Sequence, residues 1–173
     1  MAEQALPLMT FYKGWAAYQR GLVEMLSPLS AEQLSMPAMS DHRTIGMIAQ
    51  HVIANRVWWF QVWMGNGDPD LASIAHWDPA DRAWSGVIEP GDLVAGLEST
   101  WQLIAGSLST WTAADLDQMF TPPSAMSPDE RQNAPNVSRG WIIWHVLEHE
   151  IHHGGEMSLV LGNNGLQGIY GDL

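Results

Sequence analysis

Four of the chain's seven histidines fall within nine residues: His145, His149, His152 and His153 lie in the run Trp141-Ile142-Ile143-Trp144-His145-Val146-Leu147-Glu148-His149-Glu150-Ile151-His152-His153-Gly154-Gly155-Glu156. Imidazole is a favoured ligand for transition metals, through whichever ring nitrogen is unprotonated. On a helix turning about 100° per residue, His145, His149 and His153 each stand about 40° from the next, so they share one face. His152 and Glu156 flank that face. Side chains at i and i+4 project side by side, which lets His149 and His153 grip one ion together. The plainer reading is the solvent face of an amphipathic helix. Against it, the stripe carries no Lys or Arg and shares its arc with Trp141, Ile142 and Val160.

A third nitrogen comes from His51. It lies in a long apolar segment and lines up with Met47, Trp58 and Val62, all core-type positions. A lone histidine on an apolar face is usually a satisfied core residue. A second helix offering an i,i+4 histidine pair to the same core changes that expectation. Two histidines from one helix and one from another make a three-nitrogen site with an open position, the arrangement of catalytic rather than structural zinc. The chain has no cysteine, so thiolate ligands, disulfides and a cysteine nucleophile are excluded. Zinc, nickel, iron and manganese all accept imidazole, with zinc and nickel the first expectation.

Four helices must position these residues. Leu8, Phe11, Trp15, Tyr18, Leu22, Met25 and Leu29 repeat at alternating spacings of three and four, a bundle seam over roughly residues 8–25. Ser27-Pro28 ends it, and Ser30-Ala31-Glu32-Gln33 reads as a short capped turn. The second helix runs from Thr44 to Met64, before Gly65-Asn66-Gly67. The third runs from about Pro90 to Trp111, with Leu93, Leu97, Trp101, Ile104, Leu108 and Trp111 as its stripe. The fourth starts at the N-cap Ser138 and reaches Leu161. Long connections, Asn66–Glu89 and Thr112–Val137, separate them, and no strand alternation is found. The expectation is an all-α four-helix bundle with long crossover connections, residues 1–173 forming one domain.

Composition narrows the partners. Seven Lys and Arg against nineteen Asp and Glu give a net charge of −12, which argues against nucleic acid and anionic membrane surfaces. The N-terminal residues lack a basic region followed by an apolar run, and no uninterrupted apolar stretch reaches about 18 residues. A soluble, cytoplasmic protein is expected.

The sequence resembles the DinB/YfiT-like family, four-helix bundles regarded as metal-dependent enzymes. Leu34-Ser35-Met36-Pro37 followed by Thr44-Ile45-Gly46-Met47-Ile48-Ala49-Gln50-His51-Val52 looks like the opening of that family's second helix. His149-Glu150-Ile151-His152-His153-Gly154-Gly155-Glu156 is similar to its C-terminal motif. The resemblance implies one ligand histidine on helix two and an i,i+4 pair near the C-terminus, which fall on His51, His149 and His153. Gly154 and Glu156 depart from the family pattern, which often has a basic residue and a glutamine there. Glu156 reads equally as a residue orienting a ligand and as a surface carboxylate.

The resemblance further implies a divalent metal, homodimers, and either transfer of a thiol cosubstrate such as bacillithiol or mycothiol, or hydrolysis. Many relatives have no known activity. The family name refers to induction by DNA damage in one member and implies no DNA binding. A metal- or ligand-binding stress-related module without catalysis is the alternative. His149-Glu150-Ile151-His152-His153 also satisfies H-E-x-x-H, the metallopeptidase pattern with glutamate as base. That match is weaker, because no third ligand follows downstream and no sheet is expected. Glu150 stands about 100° from His149 on the wheel and is read as facing a neighbouring helix rather than serving as a base. Of the other histidines, His145 is read as lining the pocket, ahead of a fourth-ligand or ligand-orienting role, and His152 as holding a backbone or carboxylate contact. His42 is placed at the surface, and His76, beside Trp77, in a loop positioned to cover the site. Trp58, Trp59 and Trp63 are read as core or interface, with a pocket role open for Trp58.

Overall fold

The computed structural model describes residues 5–38, 43–79 and 89–170. In chain order it contains a 3-10 turn at Leu8–Thr10, α1 (Lys13–Leu26), α2 (Ala31–Leu34) and α3 (Ile45–Val57), which continues as a π-helix over Trp58–Trp63. A 3-10 segment at Pro69–His76, α4 (Pro90–Thr110) and a 3-10 turn at Ala113–Asp115 follow. Then come β1 (Met119–Phe120), α5 (Pro128–Asn133), β2 (Val137–Ser138) and α6 (Arg139–Asn163).

α2, α3 and α6 start where the sequence supplies acceptors for their first N–H groups. Ser30 and Gln33 cap α2 reciprocally. Thr44 Oγ1 accepts from Met47 N at 3.3 Å ahead of α3, and Ser138 Oγ accepts from Trp141 N at 3.1 Å ahead of α6. Such caps are each worth about 0.5–2 kcal/mol. Pro90 opens α4, where its missing N–H is no loss. Gly65, with φ of 69°, turns the chain after the π-helix in a conformation that a Cβ would strain.

The four long helices close a ring: α1 packs on α4, α4 on α3, α3 on α6 and α6 on α1. The fold is the expected all-α bundle, with some local differences. Phe11 is 66 % exposed rather than in the seam, whereas Leu8, Trp15, Tyr18, Leu22, Met25 and Leu29 are buried. A 3-10 turn advances three residues per turn, and Tyr12 breaks the helix before Lys13, so Phe11 falls out of phase. The Thr112–Val137 crossover carries one unexpected antiparallel pairing, Met119 with Ser138 and Phe120 with Val137. Arg139 anchors it, with its guanidinium 4.3 Å from the Trp111 ring and donating to Asp115 O at 3.1 Å.

The core has two apolar clusters. One gathers Leu22, Met25, Ile48, Ile53, Leu97 and Met157. The other gathers Trp15, Phe60, Ile104, Ile142, Ile143 and Val146. A fully buried leucine or isoleucine contributes about 1.5–3 kcal/mol relative to exposure. A polar layer lies between them. Arg56 and Glu150, both 0 % exposed, form a two-pronged pair: Arg56 Nε donates to Glu150 Oε1 at 2.7 Å and Nη2 to Oε2 at 2.9 Å. Arg56 Nη1 also donates to Leu97 O and Thr100 Oγ1, Nη2 donates to Gln19 Oε1, and Trp15 Nε1 donates to Glu150 Oε2. Every N–H of the guanidinium is thereby satisfied.

Candidate metal centre

Two helices supply the three histidines. His51 lies in the middle of α3, and His149 and His153 lie one turn apart on α6. The stripe containing His51 is not core as expected: Met47, His51, Trp58 and Val62 are all half-buried. The fully buried face of α3 is instead Ile45, Ile48, Ala49, Val52, Ile53, Arg56 and Val57. The histidines therefore meet on the flank of the bundle between α3 and α6, not at its centre, which the Arg56–Glu150 layer occupies.

The structure brings His51, His149 and His153 together, with one ring nitrogen from each within 4.8 Å of the others. His51 Nε2 and His149 Nε2 are 2.9 Å apart. A tetrahedral zinc bound at about 2.0–2.1 Å holds its ligand nitrogens about 3.3 Å apart, so small side-chain rotations would fit this set to one ion.

Each ring is also held from its far side. Asp78 Oδ2 accepts from His51 Nδ1 at 2.7 Å, and Glu156 Oε2 accepts from His153 Nδ1 at 2.6 Å. Asn55 Nδ2 lies 3.2 Å from His149 Nδ1. Carboxylates on the outer nitrogens fix Nδ1–H, leave the Nε2 lone pair of His51 and His153 available, and raise its basicity, as behind ligating histidines generally. The donor set fits a divalent cation on these grounds.

Electrostatics favour uncharged rings. His149 is pushed down from 6.5 to about 3, first by burial and then by His153, His51, His145 and His152. Burial also lowers His153, partly countered by its hydrogen bond to Glu156. Neutral imidazoles are the ligating form.

The flanking residues divide. Glu156 reaches a ligand candidate rather than open solvent, and its other oxygen meets His152 Nε2 at 3.1 Å. His152 itself is largely exposed. His145 lies farther along α6, its ring centroid 5.9 Å from that of His149. It stacks on Trp141 at 4.8 Å and meets Trp59 edge-on at 5.0 Å, forming an aromatic rim beside the histidines. Burial lowers its pKa, against a rise from Glu148. Trp59, from the π-helix that continues α3, is the tryptophan that joins Trp141 and His145 in this rim. His76 is exposed at the end of its 3-10 segment, while His42 lies outside the described residues.

Two groups at this site escaped the sequence reading. Asn55 stands four residues after His51 on the same face, a spacing that could have revealed it. Asp78 had no comparable signal. It arrives from the long crossover because Trp77 packs over Gly96 of α4, where a Cβ would stand 2.7 Å from the Trp77 ring.

The chain's fold is similar to the crystal structure of a DinB-like protein from Bacillus cereus ATCC 10987, with a TM-score of 0.68 and 17 % identity, over 95 % of this chain and 97 % of that one. No curated protein matches the chain. The sequence model of the DinB superfamily matches residues 15–157, a span that contains Trp15 and Glu150 of the polar layer as well as His51, His149 and His153, and the chain belongs to the DinB superfamily.

Proposed function

We propose that the protein binds one divalent metal ion through His51, His149 and His153 and acts as a metal-dependent enzyme on a small molecule. The observation that carries this reading is the convergence of three imidazole nitrogens within 4.8 Å, two of the rings backed by carboxylates. Three protein ligands leave a coordination position for a reacting group, and imidazole ligation suits zinc or nickel. A bound ion supplies Lewis acidity, bringing the pKa of a water or thiol toward neutrality. Transfer of a thiol cosubstrate and hydrolysis are the reactions in keeping with that chemistry. In this reading Asp78, Asn55 and Glu156 orient the rings, and Trp59, Trp141 and His145 border the place where substrate sits. An acidic chain with seven basic residues is not built for nucleic acid. Exposed Trp144, Ile151 and Leu159 on α6 are in keeping with pairing of two copies.

The peptidase reading is disfavoured by one observation. A general base must come within hydrogen-bond reach of the proton it takes. Glu150 instead receives Arg56 and Trp15 at zero exposure.

Elemental analysis of untagged protein tests the proposal. About one metal per chain is expected in the wild type, with loss in His149→Ala and in His51→Ala. Either variant holding metal as tightly as the wild type would defeat the three-ligand reading. If metal removal altered stability alone and left every assayed transfer or hydrolysis unchanged, the protein would be a binding module.

A further inference from the structure

The buried pair at the centre of the bundle has no part in the metal reading, yet it is interleaved with the site residue by residue. Arg56 follows Asn55 on α3, and Glu150 follows His149 on α6. On each helix one residue turns to the flank and the next to the centre. Buried ion pairs are weak contributors to stability, since desolvation offsets their attraction, and apolar replacements of similar volume are often neutral. Their best attested use is registry. The Arg56 fork meets both oxygens of Glu150, at 2.7 and 2.9 Å, which admits one alignment of α3 against α6. Sliding either helix by a turn, about 5.4 Å, would break the pair. The 2.9 Å approach of His51 Nε2 to His149 Nε2 needs that same alignment. Gln19 of α1 and Leu97 and Thr100 of α4 hold the guanidinium from the other side, so all four long helices are keyed to one point.

We propose that Arg56 and Glu150 are positioning residues: their forked pair sets the register of α3 against α6 and so makes His51 converge with His149 and His153. This rests on the metal reading above. Apolar packing alone tolerates small slides between helices, and a shift of about an ångström would spoil a three-point nitrogen site.

The test measures metal affinity by competition with a chromophoric chelator, the visible spectrum of the Co2+-loaded protein, and Tm. Arg56→Lys keeps the charge but loses the fork. It is expected to weaken metal binding about tenfold or more and to change the Co2+ spectrum. The double substitution Arg56→Met with Glu150→Leu removes both charges. It is expected to lower Tm, because Trp15 Nε1 and Gln19 Oε1 lose their partners, and to lose affinity similarly. A folded Arg56→Lys or double variant with wild-type affinity and spectrum overturns the proposal, whatever its Tm. If neither folds, Glu150→Gln, which keeps the side-chain volume but sets an amide nitrogen against one N–H of the Arg56 fork, decides. A weaker, spectrally altered site supports the proposal, and a native one overturns it. Failure of the wild type itself to bind metal, with His149→Ala indistinguishable from it, would sink the metal reading and this proposal together. Native binding in the wild type and in Arg56→Lys alike would sink only this one.

Discussion

At the scale of single residues, the outer nitrogens decide what the histidines can do. Hydrogen bonds run consistently from Asn55 Nδ2 to His149 Nδ1, from His149 Nε2 to His51 Nε2, and from His51 Nδ1 to Asp78. In that chain His149 carries its proton on Nε2. Ligation through Nε2 needs the other tautomer, with Nδ1–H donating to the amide oxygen, which a half-turn of the Asn55 amide would present. An acceptor fixed at position 55 should therefore favour the ligating tautomer. Asn55→Asp is expected to tighten metal binding several-fold, and Asn55→Leu to weaken it about 10-fold or more. Competition titrations against a chelator measure both. Equal affinities in wild type, Asn55→Asp and Asn55→Leu would dismiss the role given to this amide.

At the scale of elements, close approaches aim the histidine helix and the crossover. Tyr18 of α1 lies across α6 at Gly154, donating to Glu150 O at 3.1 Å and Ile151 O at 3.3 Å. A Cβ on Gly154 would overlap the Tyr18 hydroxyl and stand 2.7 Å from Ile169 Cδ1. Gly154→Ala should therefore destabilise the protein by about 1–3 kcal/mol, despite alanine's better helix propensity. Adding Tyr18→Phe should return part of that loss, because the hydroxyl is the nearest obstacle. Urea denaturation of the two variants checks this, and a Gly154→Ala protein as stable as the wild type would refute it. Gly96 acts similarly for the crossover, since the flat seat it gives Trp77 brings Asp78 to His51. The π-helix at Trp58–Trp63 is the corresponding local departure on α3. Met64 N bonds to Trp59 O, five residues back, at 3.2 Å, and Trp59 joins the rim with His145 and Trp141. Such windings recur at functional sites.

At the scale of the molecule, the buried histidines tie stability to pH. The metal-free fold holds His149 at about 3 and His153 below its ordinary value, in both cases chiefly through burial, while the unfolded chain protonates near 6.5. The unfolded state thus takes up protons that the folded state refuses. The stability associated with these rings is fully present above about pH 6.5 and is lost as pH falls toward 3. Each such proton contributes a slope of at most about 1.4 kcal/mol per pH unit. Denaturation of metal-free protein should show stability falling between pH 6.5 and 5, above the main carboxylate range, with a shallower fall in His149→Ala. Identical slopes in the two proteins would contradict the shift. Saturating metal should add stability at pH 7 by mass action, and a chelator should remove it. Among the described residues, no helix is long and apolar enough to cross a membrane.

Much of this was legible in the sequence because helices report locally. The spacing of Trp15, Tyr18, Leu22 and Met25 determined a buried face, and Ser30, Thr44 and Ser138 determined helix starts, since capping and periodicity depend on neighbours within a turn. The i,i+4 relation of His149 and His153 follows from helix geometry alone, and the resemblance carried by the two motifs led to the superfamily. Spacing fixes the faces of a helix relative to one another, but not the rotation of that helix about the bundle axis. Tertiary structure decided that rotation. It put Glu150 rather than the histidines at the centre, where Arg56 offered a complementary charge, and left the His51 stripe on the flank. It also joined His51 to His149 across 98 residues of chain and brought Asp78 in from a crossover. Those meetings depend on packing between elements, above all Trp77 on Gly96 and Tyr18 on Gly154, which local periodicity does not encode.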